Sequence, residues 1–197
     1  MRLCATAGRE FHPALKINLV VEYSTKTHLV KRDKSAIIGL ENMQSLIKHI
    51  HKALIKSAKT IATAESCTAG LVSGLLTQLS GSSQYFILGV TAYSDQTKKM
   101  ILKVPASVIT RNGAVSKVTA SLMAKNIRKI AKTDFGIAIT GIAGPTGATL
   151  NKPVGTIFIA VAGKNNTLCK RFLFRGNRNS IRKQAALKSL QLLKLFL

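Results

Sequence analysis

The sequence predicts an α/β fold: a three-layer α/β/α sandwich built on a mixed β-sheet. Three observations carry that expectation. From Met43 onward, segments of helical period alternate with short apolar runs. Phe135–Thr140 holds no charged residue, as expected of a central strand covered on both faces. The last two apolar runs are joined by Lys164-Asn165-Asn166, which marks a hairpin and therefore an antiparallel pair.

The elements follow in order. Leu46, Ile47, Ile50, Leu54 and Ala58 recur at helical spacing, with Lys48, His51, Lys52 and Lys56 between them. Thr60–Ala64 reads as a strand, and Leu71–Leu79 as a helix in which Gly70 and Gly74 would permit close packing. Gly81-Ser82-Ser83 is a loop and Tyr85–Ala92 a strand. Ser94 and Asp95 start a helix over Gln96–Leu102, which Pro105 ends. Asn112-Gly113 is a turn. Ser116 caps a helix whose apolar positions are Val118, Leu122, Ile127 and Ile130. After the strand at 135–140 comes a Gly/Pro loop, 141–153. Strands at 154–162 and 168–174 form the hairpin. Asn179 is the expected cap of a last helix with Ile181, Ala185, Leu187, Leu190 and Leu193 inside. Residues 1–42 show no such order: one strand at 15–23 is followed by a polar stretch, 24–34. They read as an N-terminal extension, poorly ordered or from an upstream start, with the functional domain spanning 43–197.

The chain carries 30 Lys/Arg against 7 Asp/Glu among 197 residues. Residues 43–197 hold 23 of those bases and only three acids, Glu65, Asp95 and Asp134. So few carboxylates leave little room for a glycosidase pair or an oxygen-ligand metal cage. Cys4, Cys67 and Cys169 are odd in number and far apart, which argues against disulfides and structural zinc. No metal and no cofactor are expected. All four histidines precede residue 52, so a His-based triad lacks a member near the motifs. No run is long and apolar enough for a membrane span, and Arg9 and Glu10 interrupt the place of a signal peptide's apolar stretch. A soluble cytoplasmic protein is the default. The basic excess raises nucleic acid as a partner. The lysines are scattered and aromatics amount to 5%, unlike the stacking platforms of a single-strand binder.

Four segments can carry chemistry. In Thr63-Ala64-Glu65-Ser66-Cys67-Thr68-Ala69-Gly70, Ser66 sits at a strand-to-helix junction, where helix-start N–H groups would stabilise an oxyanion. The arrangement resembles a nucleophile elbow without its GxSxG spelling. A plain helix-cap serine is the simpler account, and Cys67 is a rival nucleophile whose thiol a helix N-terminus would acidify. Glu65 is expected to brace the turn. In Ala92-Tyr93-Ser94-Asp95-Gln96-Thr97-Lys98, Tyr93 ends a strand and Lys98 lies about one turn into the next helix. A desolvated Lys98 would serve as a base beside a serine; a solvated Lys98 would resemble Lys99. Thr140-Gly141-Ile142-Ala143-Gly144-Pro145-Thr146-Gly147 is a loop whose N–H groups can approach a phosphate, or a structural crossover. Arg178 and Arg182, one turn apart, can clamp a phosphate or form a solvated basic face.

Taken together, these segments resemble the C-terminal domain of the CinA family (competence/damage-inducible protein A) in its stand-alone form. The match rests on ATAESCTAGLVSGLLTQLSGSSQYF (62–86), GVTAYSDQTK (89–98), NGAVS (112–116), AITGIAGPTG (138–147) and KPVGT (152–156), in family order. The resemblance implies hydrolysis of nicotinamide mononucleotide to nicotinate mononucleotide and ammonia, in pyridine nucleotide salvage, by a Ser/Lys amidohydrolase without metal or cofactor. It places the catalytic roles on Ser66, Tyr93 and Lys98. It places substrate binding on Thr140 and Arg178, to which the phosphate-loop and arginine-pair readings add Gly141, Gly144, Gly147 and Arg182. It also implies a homo-oligomer, a dimer by preference. Three positions depart from the family pattern: Ala69 where Gly is usual, Pro145-Thr146-Gly147-Ala148 for GPGGG or GPDGG, and Gly176-Asn177-Arg178 for GDR. The alternatives are a basic nucleic-acid-binding protein without catalysis and a nucleotide binder of the same fold.

Overall fold

The protein is described here by a computed structural model covering residues 34–197, with side chains from Met43 onward. The expected strand at 15–23 and the rest of 1–33 lie outside the described residues. Helix α1 spans Lys34–Lys56 and so starts ahead of Met43. It leads into β1 (Ile61–Glu65), α2 (Leu71–Leu76), β2 (Phe86–Thr91), α3 (Asp95–Met100), α4 (Ala106–Asn112) and α5 (Lys117–Ala131). Then come β3 (Phe135–Gly141), β4 (Thr156–Ala162), β5 (Thr167–Leu173) and α6 (Arg178–Leu193). None of the described helices is long and apolar enough to cross a membrane.

The sheet has the order β2-β1-β3-β4-β5. β1 pairs in parallel with β2 and β3, whereas β4 pairs antiparallel with β3 and β5. The sheet is mixed, and the charge-free strand β3 is central, as the sequence predicts. Alternation along the strands divides the core into two layers. Ile61, Ile137, Ile139, Ile157, Ile159 and Val161 face α1, α2 and α6. Ala62, Ala64, Ala138, Ala160 and Ala162 face α5, together with Leu102 and Val104. Isoleucines dominate one face of the sheet and alanines the other, where Phe158 is the large exception, so α5 lies close against the sheet.

That close approach changes which face of α5 is buried. Val118 and Ile130, expected inside, are 43% and 44% exposed, while Ala120, Met123, Ala124 and Ile127 are buried. The helix presents alanines to a sheet face of alanine and glycine, and apolar periodicity alone does not register that preference. Gly136 marks the tightest point: a Cβ there would stand 2.2 Å from the Ala124 carbonyl oxygen and 2.8 Å from Arg128 Cβ. Gly136→Ala is expected to lose about 1–3 kcal/mol through overpacking. Thermal melting monitored by circular dichroism should fall by about 2–4 °C per kcal/mol lost.

Other expectations shift in detail. α2 stops at Leu76, short of Leu79. Open space surrounds Gly70 and Gly74, so close packing is not their role; Gly70 instead takes φ +92°. α4 follows Pro105 directly, where no helix is expected from the sequence, and Gly113 ends it at φ +79°. Ser116 caps α5 as predicted, accepting from the Thr119 N–H. α6 starts earlier than expected: the Asn177 side chain, not Asn179, accepts from the Ser180 N–H. Asn177 thus fills the capping role open to the aspartate of the usual GDR, since both side chains offer the oxygen that a cap requires.

Candidate active site

β1, β2 and β3 run in parallel, and their carboxyl ends open on one edge of the sheet, where α/β folds place ligands. A cleft of about 200 Å³ lies there, lined by Ser66, Cys67, Tyr93, Asp95, Lys98, Ala114, Val115, Thr140, Gly141, Ala143 and Arg178. Residues from four of the five quoted motifs therefore meet in one place, together with Arg178.

Ser66 follows β1 directly. Its N–H donates to the Ile139 carbonyl at 2.9 Å, which extends the β1–β3 ladder by one residue and fixes where the serine leaves the sheet. The side chain is 8% exposed. The helix begins at Leu71, as the sequence predicts, but the turn Cys67–Gly70 separates it from Ser66, which therefore does not cap it. Two left-handed residues make that turn, Ala69 at φ +49° and Gly70 at φ +92°. Ala69 bears a strain of about 1–2 kcal/mol that the usual glycine would avoid.

The start of α2 is not free to hold an oxyanion. Glu65, fully buried, fills it. One carboxylate oxygen accepts from the Gly70 and Val72 N–H groups, at 2.9 and 3.1 Å. The other accepts from the Ser73 N–H and hydroxyl, at 2.8 and 2.7 Å. The brace expected of Glu65 is therefore real, and it removes the helix-start donors from the cleft.

The same geometry alters the reading of Cys67. Burial pushes its thiol up to about 12, and the nearby Glu65 charge acts in the same direction. The acidifying helix terminus is four residues away in sequence and already neutralised by Glu65. Near neutral pH the group is a thiol, a weak nucleophile.

Lys98 is 2% exposed, while Lys99 is exposed. Burial lowers its pKa, and the Asp95 carboxylate, 3.8 Å away, opposes that shift only in part. The amine donates to the Tyr93 carbonyl at 3.0 Å and to the Ser94 carbonyl at 3.4 Å. A neutral amine has two N–H donors and one lone pair. Two carbonyls use the donors and leave the lone pair to accept a proton.

Tyr93 contacts two of these residues through different atoms. Its main chain, not its hydroxyl, holds Lys98. Its hydroxyl accepts from Arg178 Nη2 at 2.7 Å, at the exposed rim of the cleft. Arg178 Nη1 donates to the Gly144 carbonyl at 2.7 Å, so this arginine ties the 141–147 loop to Tyr93. Thr140 is buried and donates to the Ala114 carbonyl at 2.9 Å, which pins the 113–116 segment along the cleft wall. Gly141 lines the cleft; a Cβ there would meet the Ile157 side chain at 2.3 Å and the Thr156 carbonyl oxygen at 2.7 Å. Gly144 and Gly147 adopt positive φ and shape the loop but do not line the cleft. Arg182 does not line it either: it donates to the Cys67 and Thr68 carbonyls behind the serine turn. Ala114 and Val115 are cleft residues to which the sequence assigned no role. They contribute as wall and backbone, which composition and charge do not flag.

A family model described as the CinA C-terminal domain matches residues 43–197. A relative from Desulforudis audaxviator, named as a competence-damage inducible protein, is 46% identical over 150 residues, covering 76% of this chain and 36% of its own. A CinA-like protein from Syntrophus aciditrophicus is 39% identical over 196 residues, covering 94% of this chain and 47% of its own. This chain thus spans between about a third and a half of those relatives' length. Among solved structures, the competence/damage inducible protein CihA from Agrobacterium tumefaciens aligns with a TM-score of 0.76 at 34% identity, over 78% of this chain and 94% of that one. The fold, the motif order and these relatives agree: the chain belongs to the CinA family through its C-terminal domain.

Proposed function

We propose that this domain is an amidohydrolase that converts nicotinamide mononucleotide to nicotinate mononucleotide and ammonia, with Ser66 as nucleophile and Lys98 as base. One observation carries the reading: a lysine with almost no exposure and a lowered pKa lines the same cleft as a serine at the end of β1. Ser66 Oγ bonds to the carboxamide carbon and its proton passes to the neutral Lys98 amine. The C–N bond then breaks as Lys98 returns the proton to the departing nitrogen. Water cleaves the acyl-serine, with Lys98 again as base. No hydrogen bond joins Ser66 Oγ to Lys98 Nζ among the described residues. Such contacts often tighten only when substrate is bound.

The cleft, at about 200 Å³, is below the ~300 Å³ from which small-molecule pockets usually begin. It suits the carboxamide-bearing ring, with the phosphate left at the rim. Arg178 stands at that rim and has N–H donors beyond the two it uses. The homo-oligomer implied by the family resemblance belongs to the same proposal. Ammonia release from nicotinamide mononucleotide by the purified protein tests the activity. Absence of release, together with retained secondary structure, would overturn it.

The lysine also dictates a pH dependence. The neutral amine is the active form, so kcat/KM should rise with pH through the Lys98 pKa, at a pH below the ordinary lysine value of 10.5. Asp95 favours the ammonium form, so Asp95→Asn should move the rising limb to lower pH. A limb that stays in place in Asp95→Asn would assign it to another group.

A further inference from the structure

Arg182 was a candidate for phosphate binding, yet its guanidinium is directed elsewhere. It lies on α6, one turn beyond Arg178, and reaches the back of the serine turn. Its Nε donates to the Cys67 carbonyl at 3.0 Å, and its Nη2 donates to the Thr68 carbonyl at 2.9 Å. These are the carbonyls of the two residues that follow Ser66. A guanidinium fork matches such a pair because its donors are fixed in one plane.

The turn between Ser66 and α2 is thus held from two sides. Glu65 takes the N–H groups at its far end, and Arg182 takes the carbonyls at its near end. The turn needs such holding, because it contains two successive left-handed residues, one of them an alanine. In a trans peptide the C=O and N–H point in opposite directions. Fixing the carbonyls of Cys67 and Thr68 therefore fixes the orientation of the Thr68 and Ala69 N–H groups. It also fixes the pitch at which the chain leaves Ser66.

We infer that Arg182 is a positioning residue for the proposed hydrolysis: it sets the geometry of the Ser66 turn and makes no contact with the substrate phosphate. The inference rests on the proposed amidase reading for its kinetic part. Its structural part stands without it. Arg178 and Arg182, four residues apart on one helix, then divide the work, one at the mouth of the cleft and one behind the nucleophile.

The test compares wild type, Arg182→Gln and Arg182→Lys with nicotinamide mononucleotide and with the phosphate-free riboside. A positioning role predicts a kcat loss of about 100-fold in Arg182→Gln, the size expected when a reacting group is displaced by about 1 Å. KM should hold near wild type, and the kcat loss should be equal for both substrates. Arg182→Lys keeps one donor to the carbonyls and should recover part of kcat. A phosphate contact predicts the opposite: a raised KM with the mononucleotide and no effect with the riboside. That result, or an unchanged kcat, would overturn the inference. Amide hydrogen exchange supplies a readout independent of turnover. Residues 67–70 should exchange faster in Arg182→Gln while β1 and β3 stay protected; unchanged exchange there would overturn the inference. If wild type releases no ammonia, the proposed function falls, and the exchange measurement decides the positioning claim alone.

Discussion

Ser66→Ala and Lys98→Met are each expected to reduce ammonia release from nicotinamide mononucleotide by about 10⁴-fold or more. That is the scale seen when a hydrolase loses its nucleophile or the group that activates it. The two losses should not add in the double variant, because a base without a nucleophile has nothing to activate. Cys67→Ala should stay within about threefold of wild type in kcat, since burial holds the thiol protonated and its replacement removes only a small buried group. Steady-state ammonia assays on the three variants, each checked for a native melting transition, settle the assignment. Full activity in Ser66→Ala would remove the serine from the mechanism. Loss in Cys67→Ala with retention in Ser66→Ala would pass the role to the thiol.

The second large effect falls on stability. Glu65 is fully buried, and among the described residues no cation lies within ion-pair distance of it. Its charge is balanced by three backbone N–H groups and the Ser73 hydroxyl. Ser73 in turn shares a hydrogen bond with Thr63 of β1 at 2.8 Å, so the carboxylate links strand, turn and helix. Glu65→Gln keeps the shape but turns one acceptor oxygen into a donor group facing two N–H donors, or one N–H and one hydroxyl. Each hydrogen bond to a charged group contributes about 1.5–3 kcal/mol, and each stranded buried donor costs about 1–3. The expected loss is about 3–5 kcal/mol, a fall of about 10 °C or more in thermal melting. A melting temperature within about 2 °C of wild type would show that water or a shifted side chain replaces the brace.

These two residues illustrate how much of the site was legible beforehand. Ser66 and Lys98 stand in ordered motifs, and their side-chain chemistry alone marks them as candidates for the proposed reaction. Glu65 was read as a brace because the domain has so few acids that each demands a reason. Which groups it binds was not legible. A carboxylate that reaches forward to residues 70, 72 and 73 depends on the path of the turn, and that path depends on Ala69 and Gly70 taking positive φ. The separation of Ser66 from the helix follows from the same cause. Ser66 looked like a cap because it precedes an apolar helical run, but the chain makes a full turn before the helix begins.

The two arginines make the same point at longer range. A basic pair one helical turn apart is consistent with a phosphate clamp. Which arginine faces the cleft depends on how α6 is rotated, and that rotation follows from packing Ile181, Ala185 and Leu190 against the sheet. Likewise, Tyr93 was placed beside Lys98 correctly, but the hydroxyl and the carbonyl of one residue serve different partners. Only the position of Arg178, 85 residues on, separates those roles.

The amino-acid sequence by itself determined the layer order, the central strand, the hairpin and the candidate residues for the proposed reaction. Each of these depends on local period, on turn residues or on side-chain identity. Tertiary structure alone decided the burial and orientation of those residues. Lys98 and Lys99 are neighbours with the same side chain, and only packing buries one with a lowered pKa and leaves the other exposed. Burial and hydrogen-bond partners arise from contacts between distant segments. These contacts set Arg178 at the rim of the cleft, Arg182 against the serine turn and Lys98 inside the cleft wall.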